Sequence, residues 1–430
     1  MSFISDAKAV CSTMRTVDNQ GWWAPILPLE FWYGICTAHQ PDYYACVWDA
    51  MIMNGEDGMP YDRMLSRRAL LRGAALTTAG WWAAALPVRA ANPTVVGFIY
   101  VGPRDDFGYN QAHAQGAAAV AKMPGVKVVE EEKVPETVDV QKTMGSMITL
   151  DGATLLFPTS FGYFDPHVLK VATQYPKVTF LHAGGLYQEG KHPKNVGSYF
   201  GYIDEAQYIA GVVAGHTSRS GKLGFVAAKP IPQVLRNINA FTLGARSAKP
   251  QTTTQVIFTG DWALPVKEAE ATNSLVDQGI DVITCHVDSP KVVMETCERR
   301  GIFCSGYHAS QAALAPKGYL TGAEWNWEGV YTDFVKRYQA GEKLPNLARG
   351  GLKEGMVRTS PYGAAVGAAA RQQAEDVRAQ LMAGTFVIFK GPLQSNTGTT
   401  VIPAGEQRVQ TDLSLESMDW LVAGVIGSTK

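Results

Sequence analysis

Short apolar runs alternate with amphipathic stretches along the chain from Thr94 onward. Runs rich in β-branched residues predict strands at Val95–Val101, Val126–Glu131, Thr154–Pro158, Val178–His182, Leu223–Ala227, Thr254–Thr259, Val282–Val287 and Ile302–Ser305. Stretches with helical periodicity predict helices at Gln111–Lys122, Val140–Leu150, His167–Gln174, Glu205–Thr217, Gln233–Arg246, Pro265–Gln278 and Pro290–Arg299. Continuous apolar strands that alternate with helices are typical of parallel sheets covered on both faces, so the pattern predicts an α/β fold.

The alternation falls into two runs, which predict two lobes, each built on a doubly wound, mainly parallel sheet. Lobe 1 is expected at about residues 92–218 and lobe 2 at about 222–320. The tail carries a further strand at Tyr319–Ala323 and a helix at Glu328–Tyr338, and we expect it to return and complete both lobes. The hinges are expected near Ser218–Lys222 and in the tail crossings, because short polar segments link the two runs there.

The N-terminal part of the chain differs from the rest. Residues 1–63 show no strand or helix period, and we interpret them as an over-called N-terminal extension. Residues 64–91 contain an arginine pair beginning at Arg67, an uncharged stretch, and small residues at Val88 and Ala90, the two positions that a signal peptidase reads. This order is typical of a twin-arginine signal peptide cleaved near Ala90, although a buried helix with a basic start is an alternative. We therefore expect a periplasmic protein whose solute-binding domain is 92–430.

Composition narrows the classes of function. The formal net charge is −1, and no basic patch supports nucleic-acid binding by phosphate neutralisation. No apolar stretch approaches the roughly 20 residues that a membrane-spanning helix needs. The exported part keeps Cys285, Cys297 and Cys304, which allow one disulfide and have no metal-ligand spacing.

Aromatic and hydrogen-bonding residues gather in the loops that follow the predicted strands. These loops are Gly102–Asn110, Thr159–Asp165, Ala228–Pro232, Gly260–Trp262, His286–Ser289, Gly306–His308 and Glu324–Trp327. In open parallel sheets, ligands bind outside the carboxyl ends of the strands. The composition predicts a cleft that stacks a planar solute and satisfies its polar edge. The alternative is ordinary turn chemistry at helix N-termini.

Motifs of enzymatic chemistry are missing. The sequence has no Gly-x-Ser-x-Gly elbow, and its first loop lacks Gly-x-Gly-x-x-Gly spacing. Gly215–Leu223 imitates a phosphate loop, but it has one residue too many and precedes a strand. His286 and Asp288 could ligate a metal, although such a lone pair is more typical of a polar contact. No nucleophile, base and orienting group can be assembled by spacing. We therefore expect no enzyme, no cofactor and no metal.

Several stretches together resemble one protein family. They are Asp106–Gln111, Thr159–Tyr163, Glu205–Gly215, Gly224–Gly244 and Gly279–Ser289. Their order and spacing, through nearly all of 94–400, resemble the basic membrane protein family of ABC-transporter substrate-binding proteins, of the purine nucleoside receptor type. The resemblance implies a two-lobed type I periplasmic binding fold, a purine nucleoside or nucleobase in the cleft, and an ABC permease as partner.

The resemblance also implies roles for particular residues. By position, Tyr109 would stack on the base and Asn110 would form a hydrogen bond with its edge. Lobe 2 would contribute ligand contacts from Pro230–Asn239 and from Asp288. The candidate ligand-binding residues, from the loops and the resemblance together, are Phe107, Tyr109, Asn110, Phe161, Tyr163, Pro232, Asn239, Trp262, Asp288, His308 and Trp325.

This chain departs from the family in three places. Family members are typically lipoproteins, whereas this chain has the twin-arginine pattern and no lipidation cysteine. His308 stands where nucleoside binders carry an acidic residue for the ribose hydroxyls. Trp325 stands where they carry a lysine, although an offset to Trp327 is possible. These departures favour a nucleobase over a nucleoside. Asp288 could instead cap the helix at Pro290, and Trp325 could be a core residue.

The sequence therefore predicts a monomeric, periplasmic solute-binding component of an ABC importer that captures a purine nucleobase or nucleoside between two lobes. The alternative is a periplasmic ligand sensor for purine or aromatic solutes. An exported enzyme is the more distant alternative.

Overall fold

The computed structural model describes residues 92–429. The expected N-terminal extension (1–63), the expected signal peptide (64–91) and its cleavage point near Ala90 lie outside the described residues. Among residues 92–429, no helix is both long and apolar enough to cross a membrane. The thiols of Cys285, Cys297 and Cys304 are buried and free.

The described part alternates strands and helices as the sequence pattern predicts. In chain order, the strands are β1 (Thr94–Ile99), β2 (Val126–Glu131), β3 (Leu155–Pro158), β4 (Thr179–Ala183), β5 (Val196–Gly201), β6 (Lys222–Ala227), β7 (Thr253–Phe258), β8 (Val282–His286), β9 (Phe303–His308), β10 (Tyr319–Trp325), β11 (Leu347–Gly350), β12 (Val357–Thr359), β13 (Phe389–Lys390), β14 (Leu393–Gln394), β15 (Thr400–Ile402), β16 (Gln407–Arg408) and β17 (Val425–Ile426). The α-helices are α1 (Tyr109–Val120), α2 (Val138–Thr149), α3 (Leu169–Gln174), α4 (Asp204–Thr217), α5 (Pro232–Ala248), α6 (Pro265–Asp277), α7 (Lys291–Arg300), α8 (Trp327–Gln339) and α9 (Ala368–Ala383). Short 3₁₀ or π segments lie at Phe161–Tyr163, Phe164–Val168 and Leu413–Ser417.

Local chemistry sets where several helices begin. The hydroxyl of Thr137 accepts a hydrogen bond from the amide of Asp139 and caps α2. Helices α5 and α6 begin with Pro232 and Pro265, because a first-turn proline needs no intrahelical partner for its missing N–H.

Two sheets define the two lobes. The lobe 1 sheet has six parallel strands in the order β11-β5-β4-β3-β1-β2. The lobe 2 sheet has seven strands in the order β12-β10-β9-β8-β6-β7-β17, and only β12 runs antiparallel to its neighbour. The predicted α/β fold with two mainly parallel lobes is confirmed.

The chain passes between the lobes three times. It crosses after β5, between β10 and α8, and between β11 and β12. Helix α4 packs against α5 of lobe 2 so closely that a Cβ on Gly211 would lie 2.1 Å from the carbonyl oxygen of Phe241. The first crossing therefore precedes α4. The expected hinge segment Ser218–Lys222 instead joins α4 to β6 inside lobe 2, because helix packing and not chain order decides where α4 belongs.

Candidate ligand-binding site

A cavity lies between the carboxyl ends of the two sheets and is partly open to solvent. The residues that line it are Tyr109, Ser160, Phe161, Ala183, Gly184, Phe200, Gln233, Trp262, His286, Asp288, His308 and Trp325. Each lies at the end of a parallel strand or in the connection that follows it, as expected for an open α/β sheet.

The cavity brings together six of the eleven residues predicted to bind ligand. These are Tyr109, Phe161, Trp262, Asp288, His308 and Trp325. The structure places the other five elsewhere: Phe107, Asn110, Tyr163, Pro232 and Asn239. The lining residues that sequence reasoning did not select are Ser160, Ala183, Gly184, Phe200, Gln233 and His286.

Asn110 is buried inside its own loop. Its amide nitrogen donates to the carboxylate of Asp106 at 2.8 Å, and its amide oxygen accepts from the backbone N–H of Gly102 at 3.2 Å. Both ends of the amide are used to hold the β1–α1 connection in shape. The expected contact between Asn110 and the edge of a base is therefore not formed by this arrangement.

Two further predicted residues point into protein interior. Tyr163 is fully buried and donates its hydroxyl hydrogen to the carbonyl of Val134, because the short 3₁₀ turn directs it into lobe 1. Asn239 donates to the carbonyl of Trp420 at 2.9 Å and accepts from the amide of Val422 at 2.8 Å. Its side chain fixes the C-terminal tail to α5.

Phe107 and Pro232 lie beside the cavity. The ammonium of Lys291 sits 5.1 Å from the ring centre of Phe107, which places that ring on the contact between the lobes. Pro232 opens α5 and lines a neighbouring space together with Phe161 and Glu416.

The β1–α1 connection of lobe 1 is docked on lobe 2. Three interlobe hydrogen bonds hold it: Tyr109 N–H to Asp288 C=O (2.9 Å), Ser289 Oγ–H to Asp106 C=O (2.7 Å) and Gln311 Nε2–H to Phe107 C=O (2.6 Å). A Cβ on Gly108 would lie 2.0 Å from the carbonyl oxygen of Asp288, so only glycine allows this approach. The lobes are therefore closed around the cavity.

Aromatic rings form the walls. The ring of Tyr109 contacts His308 edge to face at 5.2 Å, and its hydroxyl donates to the carbonyl of Thr159. Phe200 lies 5.0 Å from Trp325, measured between ring centres. Phe161 is 49% exposed and lines the cavity at its open side. These rings offer flat, apolar surfaces to a planar ligand.

Asp288 presents a carboxylate that has no hydrogen-bond donor among the described residues. Its backbone N–H donates to the carbonyl of Trp262 at 2.8 Å, which fixes the loop while leaving the side chain unused. Burial raises the pKa of Asp288 well above its ordinary value, and the negative charges of Asp106 and Glu136 add to the effect. A partly buried carboxylate without a donor is costly, so this group is suited to a ligand that supplies one.

His308 is held in an unusual position by its neighbours. Its backbone φ is +72°, a left-handed conformation that costs a non-glycine residue on the order of 1 kcal/mol. The indole N–H of Trp325 donates to its Nδ1 at 2.8 Å. Burial lowers the pKa of His308 well below its ordinary value, with further lowering from His286, so the ring is neutral.

The other polar lining groups differ in their engagement. The Nδ1 of His286 lies 2.8 Å from the amide nitrogen of Asn237, and its Nε2 lies 3.4 Å from the hydroxyl of Tyr307. Burial lowers the pKa of His286 to about 3. The side-chain amide of Gln233, in contrast, makes no hydrogen bond within residues 92–429 and lines the cavity.

A column of stacked rings continues from the cavity wall into the second crossing. The ring centres of His308 and Trp325 lie 6.2 Å apart, those of Trp325 and Trp327 4.8 Å apart, and those of Trp327 and His113 5.2 Å apart. Trp325 lines the cavity, whereas Trp327 starts α8 behind it. The stack fixes the plane of Trp325 and hence the direction of its N–H.

Carboxylates beside the cavity are already paired. Asp204 bonds the guanidinium of Arg236 at 3.2 Å. Glu416, from the C-terminal tail, lies 3.7 Å from Arg236 of lobe 2 and 3.8 Å from Arg349 of lobe 1. These groups link the lobes and the tail.

The sequence profile of the Bmp family, described as PnrA-like ABC transporter substrate-binding proteins, matches residues 93–386. The chain belongs to this family. Family members are periplasmic or extracellular substrate-binding proteins. They bind small-molecule ligands and work with ABC permeases.

Two relatives of this Bmp-family chain have names that differ in ligand. A purine-binding protein of Brucella abortus is 35% identical over 332 residues, which is 77% of this chain and 92% of the relative. A Haloferax volcanii protein, provisionally named as an ABC transporter glucose-binding protein, is 31% identical over 294 residues, 68% of this chain and 73% of the relative.

Solved structures show the fold of this Bmp-family chain. A solute-binding protein from Conexibacter woesei has a TM-score of 0.58 at 21% identity and covers 68% of this chain and 97% of its own. One from Aeropyrum pernix has a TM-score of 0.60 at 19% identity and covers 68% and 92%. A transcriptional activator of the comK gene from Bacillus halodurans has a TM-score of 0.59 at 23% identity and covers 67% and 97%. The shared fold therefore does not separate transport from sensing.

Proposed function

We propose that this protein captures a purine nucleobase in its cleft and delivers it to an ABC permease. The name of the 35% identical Brucella abortus relative supports a purine ligand. The observation that carries the proposal is the combination of aromatic walls with three lining polar groups that have no hydrogen-bond partner among the described residues: the amide of Gln233, the carboxylate of Asp288 and Nε2 of His308.

The chemistry of a base suits such a cavity. A purine has two flat faces and a rim of hydrogen-bond donors and acceptors. An amide can both donate and accept, and a carboxylate accepts from a ligand donor when it is ionised, whereas His308, whose Nδ1 already accepts from Trp325, can only donate. Gln233, Asp288 and His308 could therefore satisfy a mixed edge while Tyr109 and Phe161 cover the faces.

The magnitudes are sufficient for tight binding. Stacking on an aromatic side chain is worth roughly 1–3 kcal/mol per base. Micromolar affinity requires about 8 kcal/mol. Two stacked walls would supply a large part of this, and the edge hydrogen bonds and lobe closure would supply the remainder.

The site favours a base over a nucleoside. Vicinal ribose hydroxyls need a carboxylate acceptor, and Asp288 is the one carboxylate among the described residues that line the cavity. The neighbouring carboxylates of Asp204 and Glu416 are held by arginines. His308 and Trp325 occupy the positions at which a nucleoside binder would carry its ribose contacts. If Asp288 binds the edge of the base, the described lining therefore offers the ribose hydroxyls no second carboxylate.

The ligand carried by the protein tests this proposal. Protein purified from the periplasm is denatured, and the released small molecules are identified by mass spectrometry. We expect a purine base in near-stoichiometric amount from the wild type and its loss from Tyr109→Ala. A sugar or an amino acid in stoichiometric amount, with purines absent, would contradict a purine ligand.

We further propose that residues 64–91 act as a twin-arginine signal, that 1–63 are an over-called extension, and that the exported protein is a monomer. N-terminal sequencing of periplasmic protein should start near Ala91, and light scattering should give the mass of one chain. Recovery of intact residues 1–63 from the periplasm would contradict both the signal and the over-called start.

The transport role is separable from sensing. Deleting the gene should abolish uptake of labelled purine base at low concentration, because an importer depends on its binding protein. Normal uptake together with a lost transcriptional or motility response would favour the periplasmic sensor instead.

A further inference from the structure

His308 is the polar lining residue whose hydrogen-bonding character the structure fixes. The indole nitrogen of Trp325 can only donate, and its hydrogen bond ends on Nδ1 of His308 at 2.8 Å. Nδ1 must then be an unprotonated acceptor. An imidazole ring keeps at least one proton, so that proton is on Nε2. The tautomer follows from the geometry of this one contact.

The protonated Nε2 has no partner. His308 is 2% exposed, and its Nε2 is buried without a hydrogen bond to any described residue. The backbone of Val287 lies close enough to His308 to raise its pKa slightly against the lowering caused by burial, but it does not form a hydrogen bond of ordinary geometry with Nε2. A buried donor without an acceptor is rare in folded proteins and costs free energy. The left-handed backbone of His308 keeps the ring at the cavity wall despite its strain.

Trp325 is itself unable to turn away. Its ring is stacked between those of His308 and Trp327, with the closer of these rings 4.8 Å from it. The donor that sets the tautomer is therefore fixed by packing, and it lies beyond the reach of solvent at 3% exposure.

We propose that His308 is a dedicated hydrogen-bond donor to the ligand, that Trp325 is the positioning residue that makes it so, and that the site consequently selects ligands with an unprotonated ring nitrogen or an oxo oxygen at this point of their edge. The proposal rests on the proposed function for the identity of the ligand as a purine. Beyond that function, it identifies Nε2 of His308 as the atom that contacts the edge of the ligand, and it assigns this atom as the hydrogen-bond donor.

The tautomer can be measured without any ligand. Side-chain ¹⁵N NMR of the histidines should show His308 protonated on Nε2, and the resonance is assigned by its absence from the His308→Gln spectrum. Trp325→Phe keeps a flat ring but removes the indole donor, so His308 should change to a mixture of tautomers. Trp327→Phe is the matched control: this indole is equally buried and stacked, but its N–H makes no hydrogen bond among the described residues. An Nδ1-protonated His308 in the wild type would overturn the proposal.

The consequence for recognition is tested by deleting acceptors from the ligand. For whichever of adenine and guanine binds more tightly, calorimetry compares the base with analogues that lack an acceptor. These are 1-, 3- and 7-deazaadenine, or 3- and 7-deazaguanine together with 2-aminopurine, which lacks the O6 acceptor and also the N1–H donor. In the wild type one deletion should cost about tenfold or more in affinity, because it leaves the Nε2–H unpaired.

That penalty should disappear in His308→Leu and remain in His308→Gln, whose side-chain amide can place a donor near the same point. Equal penalties in wild type and His308→Leu would overturn the role of His308. If no purine binds the wild type at all, the proposed function fails, while the NMR result still decides whether Trp325 fixes the tautomer.

Discussion

The two lobes contribute equal numbers of residues to the cavity but different chemistry. Lobe 1 supplies Tyr109, Ser160, Phe161, Ala183, Gly184 and Phe200, and lobe 2 supplies Gln233, Trp262, His286, Asp288, His308 and Trp325. The polar atoms of the lobe 1 side chains are already used: the hydroxyl of Tyr109 bonds the carbonyl of Thr159, and that of Ser160 bonds the carboxylate of Glu136. The unengaged polar groups all belong to lobe 2.

This difference separates the recognition of a ligand's face from the recognition of its edge. Stacking on lobe 1 depends on flatness and is tolerant of substituents. Hydrogen bonds to lobe 2 depend on where donors and acceptors lie. Lobe 1 should therefore set how tightly any flat ligand binds, whereas lobe 2 should set which ligand is preferred.

The largest expected effect comes from the face of lobe 1. Tyr109→Ala removes a stacking ring, which is worth roughly 1–3 kcal/mol, so affinity should fall about 5- to 150-fold for every purine tested. Tyr109→Phe is the matched control and should lose much less, because the hydroxyl binds the protein and not the ligand. Calorimetry measures both. If the loss of affinity differed strongly between purines, lobe 1 would not be recognising only the flat face of the ligand.

The edge of lobe 2 is tested by Asp288→Asn. The amide keeps the size of the side chain but offers a donor beside an acceptor, so we expect a loss of about tenfold for the preferred base and a changed order among purines. A ligand panel measured by calorimetry gives the order. A small loss of affinity that is equal for all purines, with their order unchanged, would show that Asp288 does not contact the edge of the base.

Asp288 should also lower the free energy of unfolding of the ligand-free protein as the pH rises. Burial and nearby acids raise the pKa of Asp288, so the folded state keeps this proton at pH values where the unfolded chain has lost it. Its contribution to the free energy of unfolding is fully present below the unfolded pKa and is lost as the pH rises through the folded pKa.

Urea unfolding of ligand-free protein between about pH 4 and pH 8 should therefore show Asp288→Asn gaining stability over the wild type as the pH rises. The difference between the two proteins cancels shared contributions such as that of Glu205, whose pKa burial raises to about 7. Parallel pH profiles would contradict an unpaired, partly buried carboxylate at Asp288.

The smallest effect is expected at Ser160, whose aliphatic hydroxyl belongs to the lobe 1 part of the described cavity lining. The hydroxyl of Ser160 donates to Glu136, which also accepts from the amide of Gly162. Ser160→Ala should change purine affinity by less than about fivefold, since a neutral hydrogen bond contributes about 1 kcal/mol or less of net free energy. A larger, ligand-dependent loss in calorimetry would give lobe 1 a part in edge recognition.

The positions of strand ends could be predicted from the sequence, and with them half of the site. Apolar runs such as β3 and β8 are buried on both faces and therefore have a clear pattern, and the residues that follow them reach the cavity. Strand β5 was missed because its Gly-Ser-Tyr-Phe-Gly composition lacks β-branched residues after Val196. Phe200 was missed with it. His286 and Gln233 stood at strand ends or just after Pro232, so position alone could have found them.

The direction of a side chain could not be predicted in this way. Asn110 and Tyr163 lie in the expected loops, but a hydrogen bond to Asp106 and a 3₁₀ turn direct them away from the cavity. Asn239 is occupied by the tail, more than 170 residues further along the chain. The pairing of Trp325 with His308 likewise depends on contacts between β9 and β10 that no local pattern encodes.

Calorimetry with adenine, guanine, adenosine and guanosine tests the central claim most directly. The aromatic walls, and Asp288 as the one carboxylate among the described lining residues, predict that at least one base binds with micromolar or tighter affinity, and that it binds more tightly than its nucleoside. Glucose, measured in the same series, should not bind detectably. Tighter binding of both nucleosides than of their bases, or binding of glucose alone, would contradict the account.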